Sequence, residues 1–261
     1  MKTLTEEVIR IKLPSEYRDI GIYIYDSIDS TNDEAKRLWK TDRKAPAILV
    51  SRAQTAGRGR RGRSFYSPKD TGIYMSVLLQ PETGLEDAVH ITTATAVIVA
   101  KALQAFTGHK IGIKWVNDLY FEHKKVCGIL TEAIMEPDSA VPPAVVVGIG
   151  INISTKDFPE DLQEIAGSLY APDGAIDEGA LIAQIVADLL SFTKNMGDCS
   201  YIDDYRQMSV VLGKEIRYNE GNVLVTARAL DVDSEGGLMV ELSDGSVKVL
   251  KSGEISVRIT E

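Results

Sequence analysis

Histidine and cysteine are scarce in this chain: its 261 residues include three histidines and two cysteines. Cys127 and Cys199 stand far apart, in no metal-type spacing, and read as reduced thiols of a cytoplasmic protein. His90 lies in a long apolar run, His109 just beyond its end and His123 in a charged turn, while nothing marks a nucleophilic serine elbow. Dyads and triads are therefore hard to build. Excess positive charge is missing as well. Asp and Glu number 38 against 29 Lys and Arg, a formal net charge of −9, whereas general nucleic-acid or membrane binders usually carry a basic face. No run approaches the roughly 18–20 apolar residues of a membrane span, and Met1–Arg10 lacks the apolar core of a signal peptide. There is no Walker P-loop, and no G-x-G-x-x-G opens a helix. These absences leave a soluble, cytoplasmic protein whose chemistry works by positioning and charge stabilisation, without a covalent protein intermediate.

The apolar fraction of 44% supports a sizeable core, and the length suits one large domain plus a small one. Strands are expected at Ile20–Tyr25, Ala47–Arg52, Gly72–Leu79, Ile111–Val116, Val126–Ala133 and Ala144–Ile153, from short apolar or alternating runs. Thr31 as N-cap with Glu34 at N3 fits a capping box, followed by helix to about Lys40. Glu86–Thr107 has no breaker and Gly108 stands where a C′ glycine belongs, so a long buried helix is expected there. Gly179–Met196 has a helical apolar period. Glu122–Lys125 reads as a charged hairpin tip. After Met208, turn signals at Asn219–Gly221, Asp233–Gly237 and Ser243–Gly245 punctuate short β-rich runs, the pattern of a small antiparallel barrel. The expected division is 1–208 and 209–261.

Four stretches carry chemistry. Gly57–Arg63 holds four arginines and three glycines, just after a strand and just before Phe65-Tyr66. It reads either as a solvated basic loop with local nucleic-acid affinity, or as a mobile lid in which arginine takes phosphate and a ring stacks on a base. Lys114-Trp115-Val116-Asn117-Asp118-Leu119-Tyr120 sets a lysine inside an apolar strand. Either that lysine snorkels at a sheet edge or its ammonium meets an anion. Asn117 and Asp118 are turn formers, or groups beside a phosphate and its Mg²⁺. Gly148 and Gly150 sit on one face of a strand, which admits a bulge, tight helix packing or a flat ligand. Asp26–Asn32 supplies capping groups, or hydroxyls for a small polar head group.

Taken together these stretches resemble the biotin protein ligases, from about Ile22 to Val257. The family's GRGRRGR loop stands unchanged at Gly57–Arg63. Its KWPNDLY stretch appears at Lys114–Tyr120 with Val116 in place of proline. Its K-x-x-GIL-x-E stretch appears as Lys125, Gly128-Ile129-Leu130 and Glu132, its G-x-GIN as Gly148–Asn152 and its DSTN as Asp29–Asn32. Gly253-Glu254-Ile255-Ser256 resembles part of the family's C-terminal barrel.

The resemblance implies an α+β fold: an α/β-type mixed sheet flanked by helices, like a class II synthetase catalytic domain, with a small C-terminal SH3-like β-barrel. It implies ATP-dependent formation of biotinyl-5′-AMP with Mg²⁺, then transfer of biotin to a lysine of a biotin carboxyl carrier protein. Ser30, Thr31 and Gln54 would bond the ureido ring, with Gly57 beside them. Arg58 and Arg60 would clamp carboxylate and phosphate, and Lys114 would bridge both and stabilise developing charge. Gly128, Gly148 and Gly150 would let biotin lie against the sheet. Arg60, Arg63, Phe65, Asn117, Lys125 and Asn152 would line the nucleotide side; the metal ligands stay unassigned. A homodimer is compatible with the edge strands. Because Asp29 comes so early, no helix-turn-helix domain is expected ahead of the ligase, and no DNA or membrane partner. Val116 is expected to change little, since a proline there shapes a turn without side-chain chemistry. The nearest rival is a lipoate or octanoate ligase or transferase of the same fold. A non-catalytic nucleic-acid binder is the rival of another class.

Overall fold

The computed structural model describes residues 4–80, 87–135, 144–169, 176–221, 223–251 and 258–259. The Gly253–Ser256 stretch falls outside the described residues.

Seven strands form the main sheet: β1 (Gly21–Tyr25), β2 (Ala47–Ser51), β3 (Gly72–Leu79), β4 (Gly112–Lys114), β5 (Asp118–Phe121), β6 (Lys124–Ile134) and β7 (Ala144–Asn152). Their order is β1-β2-β3-β7-β6-β5-β4. Only the β1–β2 pair is parallel; β2–β3, β3–β7, β6–β7, β5–β6 and β4–β5 are antiparallel. The central strands are apolar without interruption because both their faces are covered. Ile48, Val50, Val77, Val145 and Val147 enter one core with α3 (Asp87–Thr107) and α4 (Glu178–Thr193). The alternate residues Ala47, Leu49, Leu78, Ala144 and Val146 pack on Ala35 and Trp39 of α2 (Thr31–Asp42). This is the two-residue period of a strand made visible in two separate cores.

Val89–Thr107 is long and apolar enough to cross a bilayer by length and composition, more than the sequence reading allowed. Its contacts with β6, α4 and α5 (Tyr201–Met208) explain the composition: the helix is apolar because it is the centre of the core. A short α1 (Glu6–Arg10) packs on α4.

The C-terminal residues form a second, antiparallel sheet, with β8 (Glu215–Glu220), β9 (Val223–Val232), β10 (Leu238–Glu241), β11 (Val247–Leu250) and β12 (Arg258–Ile259) in the order β11-β10-β9-β8-β12. Its inward residues Ile216, Tyr218, Ala229, Val232 and Val240 join the same apolar cluster as α3 and α4. Trp115 Nε1 donates to the Gly236 carbonyl at 2.9 Å. Arg206, on α5, donates to the Val232 carbonyl. Thus the small sheet is pinned against the turn that follows β4.

Three expectations need correction. The N-cap of α2 is Ser30, not Thr31: the Ser30 hydroxyl accepts from Asp33 N–H, and Thr31 is the first helical residue. The strand expected at Ile111–Val116 stops at Lys114, and the chain turns through a cis Trp115–Val116 bond before β5 begins at Asp118. The hairpin tip between β5 and β6 is Glu122-His123, both with positive φ, and Lys124 and Lys125 belong to β6.

Candidate functional site

Two spaces meet at the centre of the main sheet. The inner one is a cavity of about 40 Å³ between the start of α2, strands β3, β6 and β7, and the arginine loop. Its polar wall is built from short side chains fixed on regular elements. Capping by Ser30 aims the first amides of α2 at the 54–67 segment. Gln54 Oε1 accepts from both Thr31 N–H (2.9 Å) and Thr31 Oγ1 (3.1 Å), while Gln54 Nε2 donates to Ser67 Oγ at 2.9 Å. The Ser76 hydroxyl lies 2.8 Å from Thr31 Oγ1 and 2.6 Å from Asn32 Oδ1. Ser30, Thr31, Asn32, Ser67 and Ser76 are all buried. The wall is therefore a closed hydrogen-bonded set that holds its rotamers, and it offers both donors and acceptors.

The glycines serve this packing directly. A Cβ on Gly148 would overlap the Asn32 amide. One on Gly150 would stand 2.6 Å from the Phe65 ring, and one on Gly128 would meet Lys125 and Phe65 at 3.1 and 3.3 Å. Gly57 has no room either, against the Phe65 carbonyl and Ser67 Oγ. The bare strip expected on β7 and β6 is thus present, and in this structure the Phe65 ring lies on it.

The arginine loop follows a defined path. Gly59 N–H donates to the Arg63 carbonyl (2.7 Å) and Phe65 N–H to the Gly57 carbonyl (2.9 Å), with a 3₁₀ turn at Arg60–Gly62 between them. Arg61 and Gly62 take positive φ of 59° and 73°, which a glycine adopts without a Cβ clash. Arg58 NH1 pairs with Asp33 at 2.6 Å and NH2 with Glu132 at 3.2 Å. These carboxylates, Asp33 first, push its pKa above the ordinary arginine value. Arg60 NH1 donates to Asn117 Oδ1 at 3.0 Å. Burial lowers its pKa and nearby Asp118 opposes the shift, but arginine stays protonated throughout.

Beyond Arg60 and Phe65 opens the outer groove, of about 530 Å³, within the usual range for ligand sites. Its floor holds Lys114, Asn117, Asp118, Tyr120, Lys125 and Asn152, and its rim Arg61, Arg63 and Tyr66. The far wall is Phe158, Leu162, Ile165 and Ala166. Tyr66 and Phe158 rings stand 6.1 Å apart. Lys114 Nζ lies 5.4 Å from the Tyr120 ring centroid, and burial pushes the Tyr120 phenol up to about 12. Lys125 pairs with Asp118 at 2.6 Å. Asn117 also donates to the Ile129 carbonyl. Asn152 donates to the Gly167 carbonyl, and among the described residues its buried Oδ1 has no partner.

Gly59, Arg60, Phe65, Asn117 and Lys125 line both spaces. Ser30, Thr31, Gln54, Arg58, Gly128, Gly148 and Gly150 line only the inner cavity. Arg63 and Asn152 line only the groove. Lys114, expected to bridge carboxylate and phosphate, lines the groove alone, while Lys125 lines both spaces. The physical reason is strand order: β4 is the edge strand, two places from β6, and its pairing with β5 sets Lys114 near Tyr120, whereas Lys125 stands on β6 beside Gly128. Residues that sequence reasoning missed are Asn32, Ser67 and Ser76 in the cage, Asp33 and Glu132 behind Arg58, and the Phe158–Ala166 wall. Asn32 and Glu132 had a signal, as members of the DSTN and K-x-x-GIL-x-E stretches. The wall, on an irregular segment, had none. No group of three or more His, Cys, Asp and Glu suited to a metal ion occurs among the described residues.

Comparison with known proteins shows the family to which the chain is similar. The model of the biotin/lipoate A/B protein ligase family matches residues 24–152, and that of the biotin protein ligase C-terminal domain matches 211–258. A bifunctional ligase/repressor BirA of Bacillus spizizenii is 33% identical over 97% of this chain and 79% of its own length. A biotin–[acetyl-CoA-carboxylase] ligase of Mycobacterium tuberculosis is 28% identical over 80% of this chain and 77% of its own. Among solved structures, a biotin protein ligase from Aquifex aeolicus in complex with biotin and ATP superposes with a TM-score of 0.76. It is 28% identical, and the match covers 92% of this chain and 99% of that one.

Proposed function

The chain belongs to the biotin/lipoate A/B protein ligase family, and we propose that within it the chain is an ATP-dependent biotin–protein ligase. One observation carries the reading: a hydrogen-bonding cage opens, past Lys125 and Arg60, onto a basic groove with aromatic walls. Biotin's ureido group has two N–H donors and one carbonyl acceptor, which suit the Thr31–Gln54–Ser76 cage. Ser30 and Gly57 shape the same end. At about 40 Å³ the cavity is far smaller than a ligand site, so biotin enters as the Phe65 ring leaves the Gly128–Gly150 strip. That ring then packs on the ligand.

In the first step a biotin carboxylate oxygen attacks the α-phosphorus of ATP. The bond from the α-phosphorus to the bridging oxygen breaks, and pyrophosphate leaves with the electron pair. Lys125, Arg58 and Arg60 gather around the carboxylate and α-phosphate and stabilise the charge that builds there. Lys114, Arg63 and Asn117 serve the remaining phosphates, and Asn152 with the Tyr66–Phe158 pair serves the nucleoside. Mg²⁺ takes oxygen ligands, usually phosphates with one or two carboxylates. Asp118 is the carboxylate on the groove floor, so the residues present fit a Mg²⁺ brought in with ATP, where it would neutralise phosphate charge. In the second step the neutral amine of a carrier lysine attacks the acyl carbon, AMP departs and the nitrogen loses a proton.

The carrier is a biotin carboxyl carrier protein or domain, met in the cytoplasm. Self-association through the exposed edge of β1 belongs to the same reading. Incubating a carrier domain with the protein, biotin and MgATP and weighing it tests the proposal. One added biotinyl group is expected; modification with lipoate and none with biotin would overturn it.

A further inference from the structure

Glu132 projects from β6 to a point where α2 and the arginine loop converge. Its Oε1 accepts from Lys36 Nζ of α2 at 2.8 Å and stands 3.2 Å from Arg58 NH2. Its Oε2 accepts from Asn32 Nδ2 at 2.9 Å. Asp33, one residue past Asn32, holds the other side of the Arg58 guanidinium at 2.6 Å and lies 3.6 Å from Lys36. Two carboxylates and two cations thus form one cluster, with Glu132 the least exposed of its four side chains, at 19%. The cavity wall is made by Asn32 and Arg58; the carboxylates grip those two side chains from behind.

We propose that Glu132, with Asp33, is a positioning residue that sets Arg58 and Asn32 for biotin before biotin arrives. The inference rests on the biotin-ligase reading. Three observations support it. A guanidinium held through both terminal nitrogens keeps its plane as well as its place. The Asn32 amide, given a carboxylate on its nitrogen side, turns Oδ1 toward Ser76, which joins it to the Thr31–Gln54 cage. And Arg58 is the first arginine of the loop, so fixing it tethers the loop root to α2 and β6. Holding the loop in place removes an ordering cost that biotin would otherwise meet on binding. The alternative role has the opposite sign: carboxylates that merely occupied Arg58 would compete with the biotin carboxylate, and removing them would tighten binding.

The test uses the full chain with Glu132→Gln, which keeps the size and an acceptor for Asn32, and Asp33→Asn as a second variant. Wild-type protein comes first. If it neither binds biotin nor releases pyrophosphate with biotin and ATP, the ligase reading fails and Glu132 is not at issue. If it does, each variant is titrated with biotin by calorimetry, digested with trypsin without ligand, assayed for pyrophosphate and melted. Partly exposed ion pairs are modest, so biotin Kd should weaken about 3- to 10-fold per variant, with most of the activity loss in KM and less in kcat. Cleavage at Arg58–Arg63 should quicken while the melting temperature holds. The paired variant should cost less than the product of the singles, because both act on one guanidinium. Unchanged or tighter biotin binding in a variant that melts like wild type overturns the proposal. So does a loss confined to kcat.

Discussion

The inner cavity and the outer groove are built in opposite ways. The uncharged polar side chains of the cage sit on or beside regular elements and are bonded to one another: Thr31 to Gln54, Gln54 to Ser67, Ser76 to Thr31 and Asn32. The groove is walled by the arginine loop on one side and the irregular Phe158–Ala166 segment on the other. A cage with fixed donors and acceptors discriminates by what it leaves unpaired when the wrong ring enters. A groove with long cations discriminates little by shape but stabilises charge wherever it builds. The contrast assigns selection to the cavity and rate to the junction, and substitutions can break that assignment.

The largest effect should come from the junction. Lys125→Ala removes the only lysine that lines both spaces among the described residues. Loss of one group aimed at developing charge costs about 10²–10³ in rate. Lys114→Ala, in the groove alone, should cost less, about tenfold. Biotin-dependent pyrophosphate release measures both; the reverse ranking would return the bridging role to Lys114. Next comes the cage. Gln54→Ala strands the Thr31 amide and leaves the Thr31 and Ser67 hydroxyls their remaining partners, Ser76 and the Phe65 carbonyl; a buried unsatisfied group costs about 1–3 kcal/mol. Biotin Kd should weaken about 10- to 100-fold, with the ATP KM little changed. An equal loss for both substrates would erase the division between the two spaces.

How far the sequence revealed this division follows from where its information lies. Only part of the cage was legible, Ser30 and Thr31 of DSTN and Gln54, because Ser67 and Ser76 join it from distant segments; the strands were legible because burial on both faces leaves unbroken apolar runs. Helix α2 was placed, but with its cap one residue late: Ser30, Thr31 and Asp29 are all competent caps, and only the backbone path decides among them. Lys114 and Lys125 were both visible as lysines next to apolar strands. Which of them reaches the cavity depends on strand order, with β6 beside β7 and β4 out at the edge, and that order joins residues far apart in the chain. Glu132 was visible as a motif member but not as a partner of Arg58, because an ion pair between a loop and a distant strand has no local signature. The expected reading of Gly148 and Gly150 was half of the matter: the missing side chains also make room for Asn32 and Phe65.

Those two glycines sharpen the comparison at a middle scale. Gly148→Ala presses a methyl into the Asn32 amide, which three bonded neighbours hold in place. Overpacking at such a site costs about 1–3 kcal/mol. Gly150→Ala presses on the Phe65 ring, the group the proposed mechanism displaces. It should cost less in stability and act mainly on biotin affinity. Thermal melts and biotin titrations of both variants check this; equal destabilisation would mean that Phe65 is as fixed as Asn32.

The smallest effect expected concerns the root of the cage under acid. Asp29 accepts from the Ser30 amide and pairs with Arg37, and its carbonyl accepts from Ala56 N–H at 2.8 Å. The Arg37 hydrogen bonds, then the Ser30 amide, hold its carboxyl below the ordinary value of 3.8. A depressed folded-state value means that the carboxylate stabilises the fold above the unfolded pKa and that this stabilisation fades as pH falls through the folded one. Asp29→Asn keeps an acceptor for Ser30 and removes the charge. Since the carboxylate is largely exposed, the variant should be less stable than wild type by no more than about 1 kcal/mol near neutral pH. That gap should stay level down to the unfolded value and close below it. Denaturant titrations of both proteins across the acid range read the gap directly. A gap that persists after Asp29 has been protonated would show that the asparagine disturbs the 28–30 strap itself, and the inner cavity would then depend on side-chain shape at its root and not on charge.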